Sequence, residues 1–159
     1  MRKHIVLGFV ALFSLSSLAL SVFADEEKIA LDKVPAAVKE AVKKKFPKAE
    51  MKEAAKEVEN GKTVYEISIK DGETAIDVSL SDEGKILAIE KEMAVADLPA
   101  AVKDAVKTKY AEGMITKAEE ITKEETVSYE VIVKNGDKNR ELGIDAKGKI
   151  TSDEEAGKD

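Results

Sequence analysis

The segment VPAAVKEAVKKKF, from Val34 to Phe46, is answered 64 residues later by LPAAVKDAVKTKY, from Leu98 to Tyr110. Carried along the chain, the same shift gives 18 identities between Val34 and Glu90 without a gap. Sixteen of them fall in three blocks. The first runs from Pro35/Pro99 to Lys45/Lys109, the second surrounds Tyr65/Tyr129 and Gly72/Gly136, and the third is Gly84/Gly148, Lys85/Lys149 and Ile86/Ile150. Two copies are too few for a solenoid, so the chain reads as one duplicated unit. A unit of about 60 residues is marginal on burial alone. The copies are therefore expected to share a sheet or to pack side by side.

Within each copy the hydrophobic period changes once. Val34, Val38, Ala41, Val42 and Phe46 recur at helical spacing, with lysines and an acid between them. Pro35 and Pro99 suit a first helical turn, where the missing N–H costs nothing. Pro47 and Gly113 mark the ends. The next segment alternates: Tyr65, Ile67 and Ile69 against Glu66, Ser68 and Lys70, then Tyr129, Val131 and Val133 against Ser128, Glu130, Ile132 and Lys134. A period of two predicts strands with one apolar face. Asp71-Gly72 and Asn135-Gly136 predict tight hairpins with positive φ at both central positions. Strands are expected near Thr74 to Ser81, Asn139 to Asp145, Ile86 and Ile150, preceded by one at Met51 to Val58 and at Ile115 to Thr122. The predicted class is α+β: a duplicated unit of one helix on a three- to four-stranded antiparallel sheet. Residues 34–92 and 98–151 form the copies, joined by 93–97. Residues 25–33 and 152–159 lack apolar periodicity and are expected to be mobile.

The pattern Leu/Val-Pro, Ala-Val-Lys, a Lys-rich helix end closing in Phe46-Pro47, then TVYEISIKDG and IDVSLSDEGKI, resembles the PepSY-like, beta-lactamase-inhibitor-like domain family. The resemblance covers both copies. The second copy departs from it where Tyr110-Ala111-Glu112 replaces the Phe-Pro-Lys ending and Ser128 splits the Val-Tyr pair. It implies a helix with a four-stranded antiparallel sheet, a beta-lactamase-inhibitor-protein-like fold, in exported bacterial proteins. Related folds serve as protein ligands, as propeptides of secreted metallopeptidases and as an inhibitor that grips a beta-lactamase with the open sheet face. The family offers no catalytic residue to carry over.

Residues 1–24 have a basic start (Arg2, Lys3), an apolar run from Ile5 to about Leu20 and small residues at Ser21 and Ala24, the layout of a secretory signal peptide cleaved before Asp25. The apolar run is broken by Ser14, Ser16 and Ser17, which disfavours a retained membrane span. Beyond it stand 24 basic and 32 acidic residues, a net of −8 that disfavours nucleic acid and anionic membranes as partners. The single histidine, His4, lies in the leader, and there is no cysteine. Catalysis through imidazole or thiol, His/Cys zinc sites and disulfides are thereby excluded from the exported chain. No cofactor is expected, and the chain is not expected to be an enzyme.

Parity assigns Glu66, Ser68, Asp77 and Ser79 from the first copy, and Ser128, Glu130, Ile132, Glu141 and Asp145 from the second, to the face away from the helices. That face is polar and acidic. It reads either as a solvated sheet surface or as a docking surface for a basic envelope or secreted protein or peptide, with inhibition or regulation as the outcome. A small-ligand or divalent-cation sensor is the alternative. Four aromatics remain after residue 24, the repeat-equivalent pairs Phe46/Tyr110 and Tyr65/Tyr129, and all four are expected in the core. With no Trp and only Arg140 after the leader, the usual hot-spot residues of a tight inhibitor are scarce. Asp82-Glu83 and the acids Asp153, Glu154 and Glu155 are placed in turns or a tail, where water keeps carboxylates ionised. SLSDEGK lacks the ligand spacing of a calcium loop and reads as a turn. The lysines at the helix ends read as dipole-complementing residues.

Overall fold

A computed structural model describes residues 27–59 and 61–156; the expected signal peptide lies outside them. The twin segments form helices α1 (Ala36–Lys45) and α2 (Ala100–Lys109). Alanine and lysine favour the helix, and basic residues fill each last turn, where they oppose the negative end of the dipole. Pro35 and Pro99 sit one residue before the helix, still extended, and their carbonyls accept the first helical bonds from Lys39 and Lys103 at 3.1 Å.

The remaining chain forms nine strands: β1 (Glu27–Ile29), β2 (Glu50–Glu59), β3 (Lys62–Asp71), β4 (Thr74–Ser81), β5 (Ile86–Glu92), β6 (Met114–Lys123), β7 (Thr126–Asn135), β8 (Lys138–Asp145) and β9 (Ile150–Glu155). They lie in sequence order in one antiparallel sheet. The expected sheet of three or four strands is thus too small. The last strand of the first copy pairs with the first strand of the second, from Ile89↔Thr122 to Glu92↔Glu119, and satisfies backbone groups that would otherwise stand unpaired at two edges. For the same reason the ends expected to be mobile hold strands. Residues 27–29 pair with β2, and residues 150–155 pair with β8.

The alternating strands place both apolar faces on one side, under the helices. Val34, Val38 and Val42 pack with Ala54, Ile67, Ile69, Ile76, Val78 and Leu80; Leu98, Val102 and Val106 pack with Ala118, Tyr129, Val131, Val133, Leu142 and Ile144. Fully burying such a side chain contributes about 1.5–3 kcal/mol. The aromatics behave as repeat partners: Tyr129 is a core member, while Phe46, Tyr65 and Tyr110 pack at the margin.

The hairpin turns lie one residue later than the Asp-Gly and Asn-Gly pairs suggest. Asp71 pairs with Thr74 and Asn135 with Lys138, so the two-residue loops are Gly72–Glu73 and Gly136–Asp137. Only the glycine has positive φ, 65° and 63°, as in turns with glycine at the first central position. The third identity block has a stricter cause. Gly84 and Gly148 adopt φ of 82° and 84° in the β4–β5 and β8–β9 turns, and a Cβ on either would lie 2.6 or 2.5 Å from the carbonyl oxygen of Ala37 or Ala101. These turns lean on the helices that the alanines begin.

Candidate functional site

On the face that carries no helix, cross-strand register assembles rows of polar side chains. One row runs Glu53, Ser68, Asp77, Glu90, Ile121, Ser128 and Asp145 across β2 to β8. The next places Glu92, Glu119, Glu130 and Gly143 in line, and a third places Lys117, Ile132, Glu141 and Glu154. Directly opposed side chains lie about 5 Å apart at Cβ. Carboxylates from both copies therefore meet across the β5–β6 seam.

The sequence-assigned residues fall into two groups on this face. Glu66 opposes Ser79 and Ser68 opposes Asp77 in the first copy, while Ile132 opposes Glu141 beside Glu130 in the second. Glu90, Glu92, Lys117 and Glu119 link the groups, and sequence reasoning missed all four. Parity alone marks Glu90 and Glu92 once β5 is extended to seven residues, but the register across the seam is a tertiary fact. Asp145 serves another purpose: its Oδ1 accepts the N–H groups of Lys147 and Lys149, both at 2.9 Å, which caps the β8–β9 turn. Those bonds hold its carboxyl below the usual range.

The centre of the face is desolvated. Glu90 is 7% and Glu119 6% exposed, although no helix covers them. Glu119 has a partner in Lys117, Nζ to Oε1 at 2.8 Å. Glu90 has Glu119 and Asp77 as like-charged neighbours, with the Lys117 charge acting in the opposite sense. Burial, then the charges of Glu119 and Asp77, push the Glu90 carboxyl up to about 7. Burial, then Glu141, Glu119 and Glu90, push Glu130 up to about 8. Asp77 and Glu141 are raised as well, chiefly by burial, with a Ser68 hydrogen bond and Lys117 opposing the shift at Asp77 and Lys117 opposing it at Glu141. Among the described residues no three His, Cys, Asp or Glu converge to hold a metal ion.

A second polar cluster lies on the helix side and corrects the assignment of Asp153 to a solvated tail. Asp153, on β9 with its side chain 16% exposed, accepts the Tyr110 hydroxyl at 2.8 Å and Arg140 Nε at 2.8 Å, and pairs with Lys109 Nζ at 2.6 Å. Burial works to raise its carboxyl, but the bonds from Lys109, Arg140 and Tyr110 outweigh it and hold the carboxyl below its usual range. This clamp ties the last strand to the end of α2. It is structural.

Fold and face together define a helix-backed antiparallel meander with one helix-free face rich in carboxylates. The chain belongs to the family described as "Putative beta-lactamase-inhibitor-like, PepSY-like", whose profile matches residues 22–88 and 74–152, two overlapping segments consistent with tandem copies. No curated protein matches it in sequence. Among solved structures, a DUF2874 family protein from Bacteroides uniformis is similar over 76% of this chain and 88% of its own, with 16% identity and a TM-score of 0.65. A Bacteroides eggerthii structure described as "putative periplasmic proteins" aligns over 77% and 88%, at 16% identity and a TM-score of 0.66. A BLIP-like protein from Bacteroides fragilis aligns over 79% and 90%, at 22% identity and a TM-score of 0.61. At these identities the likeness establishes the fold.

Proposed function

We propose that the chain is an exported, non-catalytic binding module whose open sheet face docks a basic segment of a protein or peptide, with an inhibitory or regulatory effect. One observation carries this reading: Asp77, Glu90, Glu119, Glu130 and Glu141 gather across the seam, with Lys117 as the cation opposing them. Burial and mutual repulsion raise the free energy of the ionised carboxylates, and an incoming ammonium or guanidinium relieves both costs. Export is supported by the layout of residues 1–24 and by the periplasmic description of the Bacteroides eggerthii neighbour. A non-catalytic role fits the inhibitor-like family and the lack of His and Cys after His4.

The test is calorimetry of the purified protein with a blocked Lys-rich peptide and a neutral peptide of equal length. The basic peptide should bind, weaken as salt rises, and lose at least tenfold in affinity with Glu90→Gln and Glu130→Gln combined. Equal binding of the neutral peptide would sink the reading. A Ca²⁺-dependent rise in melting temperature, with no peptide binding, would support the divalent-cation sensor instead.

A further inference from the structure

Beside Glu90 the seam opens. Pairing between β5 and β6 stops at Ile89↔Thr122, and beyond it lies a cavity of about 420 Å³ lined by Lys85, Ile86, Leu87, Ile121, Lys123, Glu124, Thr126 and Ser128. That volume is in the range of small-ligand clefts, about 300–1,000 Å³. Ile121, Lys123, Thr126 and Ser128 share the open face with Glu119 and Glu130, because Ile121 pairs with Ser128 and Lys123 with Thr126 in the same ladder. Glu90 stands opposite Ile121, so the apolar wall of the cavity begins next to this buried carboxyl. The cavity belongs to the seam between the copies.

Charge is unevenly spread around it. Carboxylates of Glu90, Glu119 and Glu130 stand in the neighbouring register rows, while Lys85, Lys123 and Glu124 line the cavity itself. A cation is thus drawn to the three neighbouring carboxylates, which gives an occupant a direction. Along β6, Glu119 and Ile121 are two residues apart, about 7 Å on an extended strand. An extended peptide laid along β6 has the same spacing between its own alternate side chains.

Building on the acidic-face reading, we propose that the cavity and the carboxylates form one two-part site for an extended peptide segment that carries Lys or Arg two residues from a large apolar side chain. The basic group sits over Glu90, Glu119 and Glu130, and the apolar group fills the cavity against Leu87 and Ile121. Charge alone would give a face that takes any polycation; the cavity makes it selective.

Fluorescence anisotropy with short blocked peptides on a Gly/Ser background tests this. Four probes suffice: Lys and Phe two positions apart, the same pair three apart, Lys alone, and Phe alone. The first should bind at least tenfold tighter than Lys alone, and the three-residue spacing should lose that gain. Ser128→Trp, which fills the cavity from an already half-buried polar position, should erase the gain of the Lys-Phe peptide over Lys alone; Ile121→Asn should do the same. If Lys-Phe and Lys-only peptides bind alike, the two-part site is wrong while the acidic docking face stands. If the gain survives both variants, the cavity is not its source and the proposal falls. If no Lys-bearing peptide binds at low salt, the docking face and the two-part site fall together.

Discussion

The two halves of the molecule solve one structural problem in opposite ways. Where the second copy has Tyr110, Arg140 and Asp153 joined by hydrogen bonds, the 64-residue shift puts Phe46, Ile76 and Ile89 in the first, all packed on its core. The difference follows from the place of the final strand. β5 is paired on both sides, so greasy contact with the end of α1 suffices. β9 is the edge of the sheet, bonded on one side only, and needs directional bonds to hold it. One backbone therefore carries either an apolar or an ionic plug.

Exchanging the plugs is the strongest way to break that comparison. Ile76→Arg buries a guanidinium without a partner among isoleucine and valine and should cost about 4 kcal/mol or more in denaturant unfolding. Adding Ile89→Asp and Phe46→Tyr rebuilds the polar set and should recover part of the loss, a non-additivity that a mutant cycle measures. A triple variant as unstable as the sum of its parts would show that the copies are not interchangeable there.

The halves should agree where the glycines touch the helices. Gly84→Ala and Gly148→Ala each combine a positive φ with a Cβ inside contact distance of a carbonyl, and should each cost about 2–4 kcal/mol. Gly72→Ala has the same sign of φ but open space around it, so about 1 kcal/mol is expected. Equal effects at Gly72 and Gly84 would remove the helix contact from the explanation.

Acidity should register at the boundary between the halves. Folded Glu90 and Glu130 hold protons to about pH 7 and 8, whereas the unfolded chain releases them near the usual 4.5. The native state thus binds more protons in this window, and stability present below pH 4.5 drains away as pH climbs through 7 to 8. The wild type should lose several kcal/mol, at most about 6, between pH 5 and 8.5. Glu90→Gln should flatten the slope, since Asp77, Glu92, Glu119 and Lys117 then face a neutral amide. A flat wild-type profile would contradict the burial of this carboxylate.

The smallest effect is expected in the turns that open β3 and β7. Gly61 takes φ 75° in the first copy, and Glu124 takes φ 54° in the second, the one non-glycine with positive φ among the described residues. Glu124→Gly should raise stability by up to about 1 kcal/mol. A loss on thermal melting would show that the side chain earns its place at the cavity rim.

Helices and central strands were legible because Val38, Val42, Tyr65 and Ile67 repeat with a period and then repeat again 64 residues on. Side-chain parity also put Glu66, Asp77, Glu130 and Glu141 on the right face. Glu90 and Glu119 stayed hidden because their burial depends on which residue of β6 meets which residue of β5, and no short-range pattern specifies that register. Asp153 was hidden for a related reason: its partners are 13 and 43 residues away, and only docking of β9 on β8 gathers them. The strands at either end lacked an apolar rhythm because each gives the core a single side chain, Ile29 or Ile150, and is otherwise held by a neighbour's backbone.

The seam has a geometric consequence. β5 joins β6 head to tail, and Glu92 and Lys91 meet Glu119 and Glu120 where, 64 residues earlier, Lys28 and Glu27 meet Ala55 and Lys56. The three residues of β1 therefore take on β2 the place that β5 takes on β6. A translational contact of this kind has no symmetry that closes it, and a third or fourth unit could in principle be appended without end. Among the described residues both sheet edges are poor templates for such addition, one because β1 is only three residues long and the other because β9 carries the carboxylates of Asp153, Glu154 and Glu155.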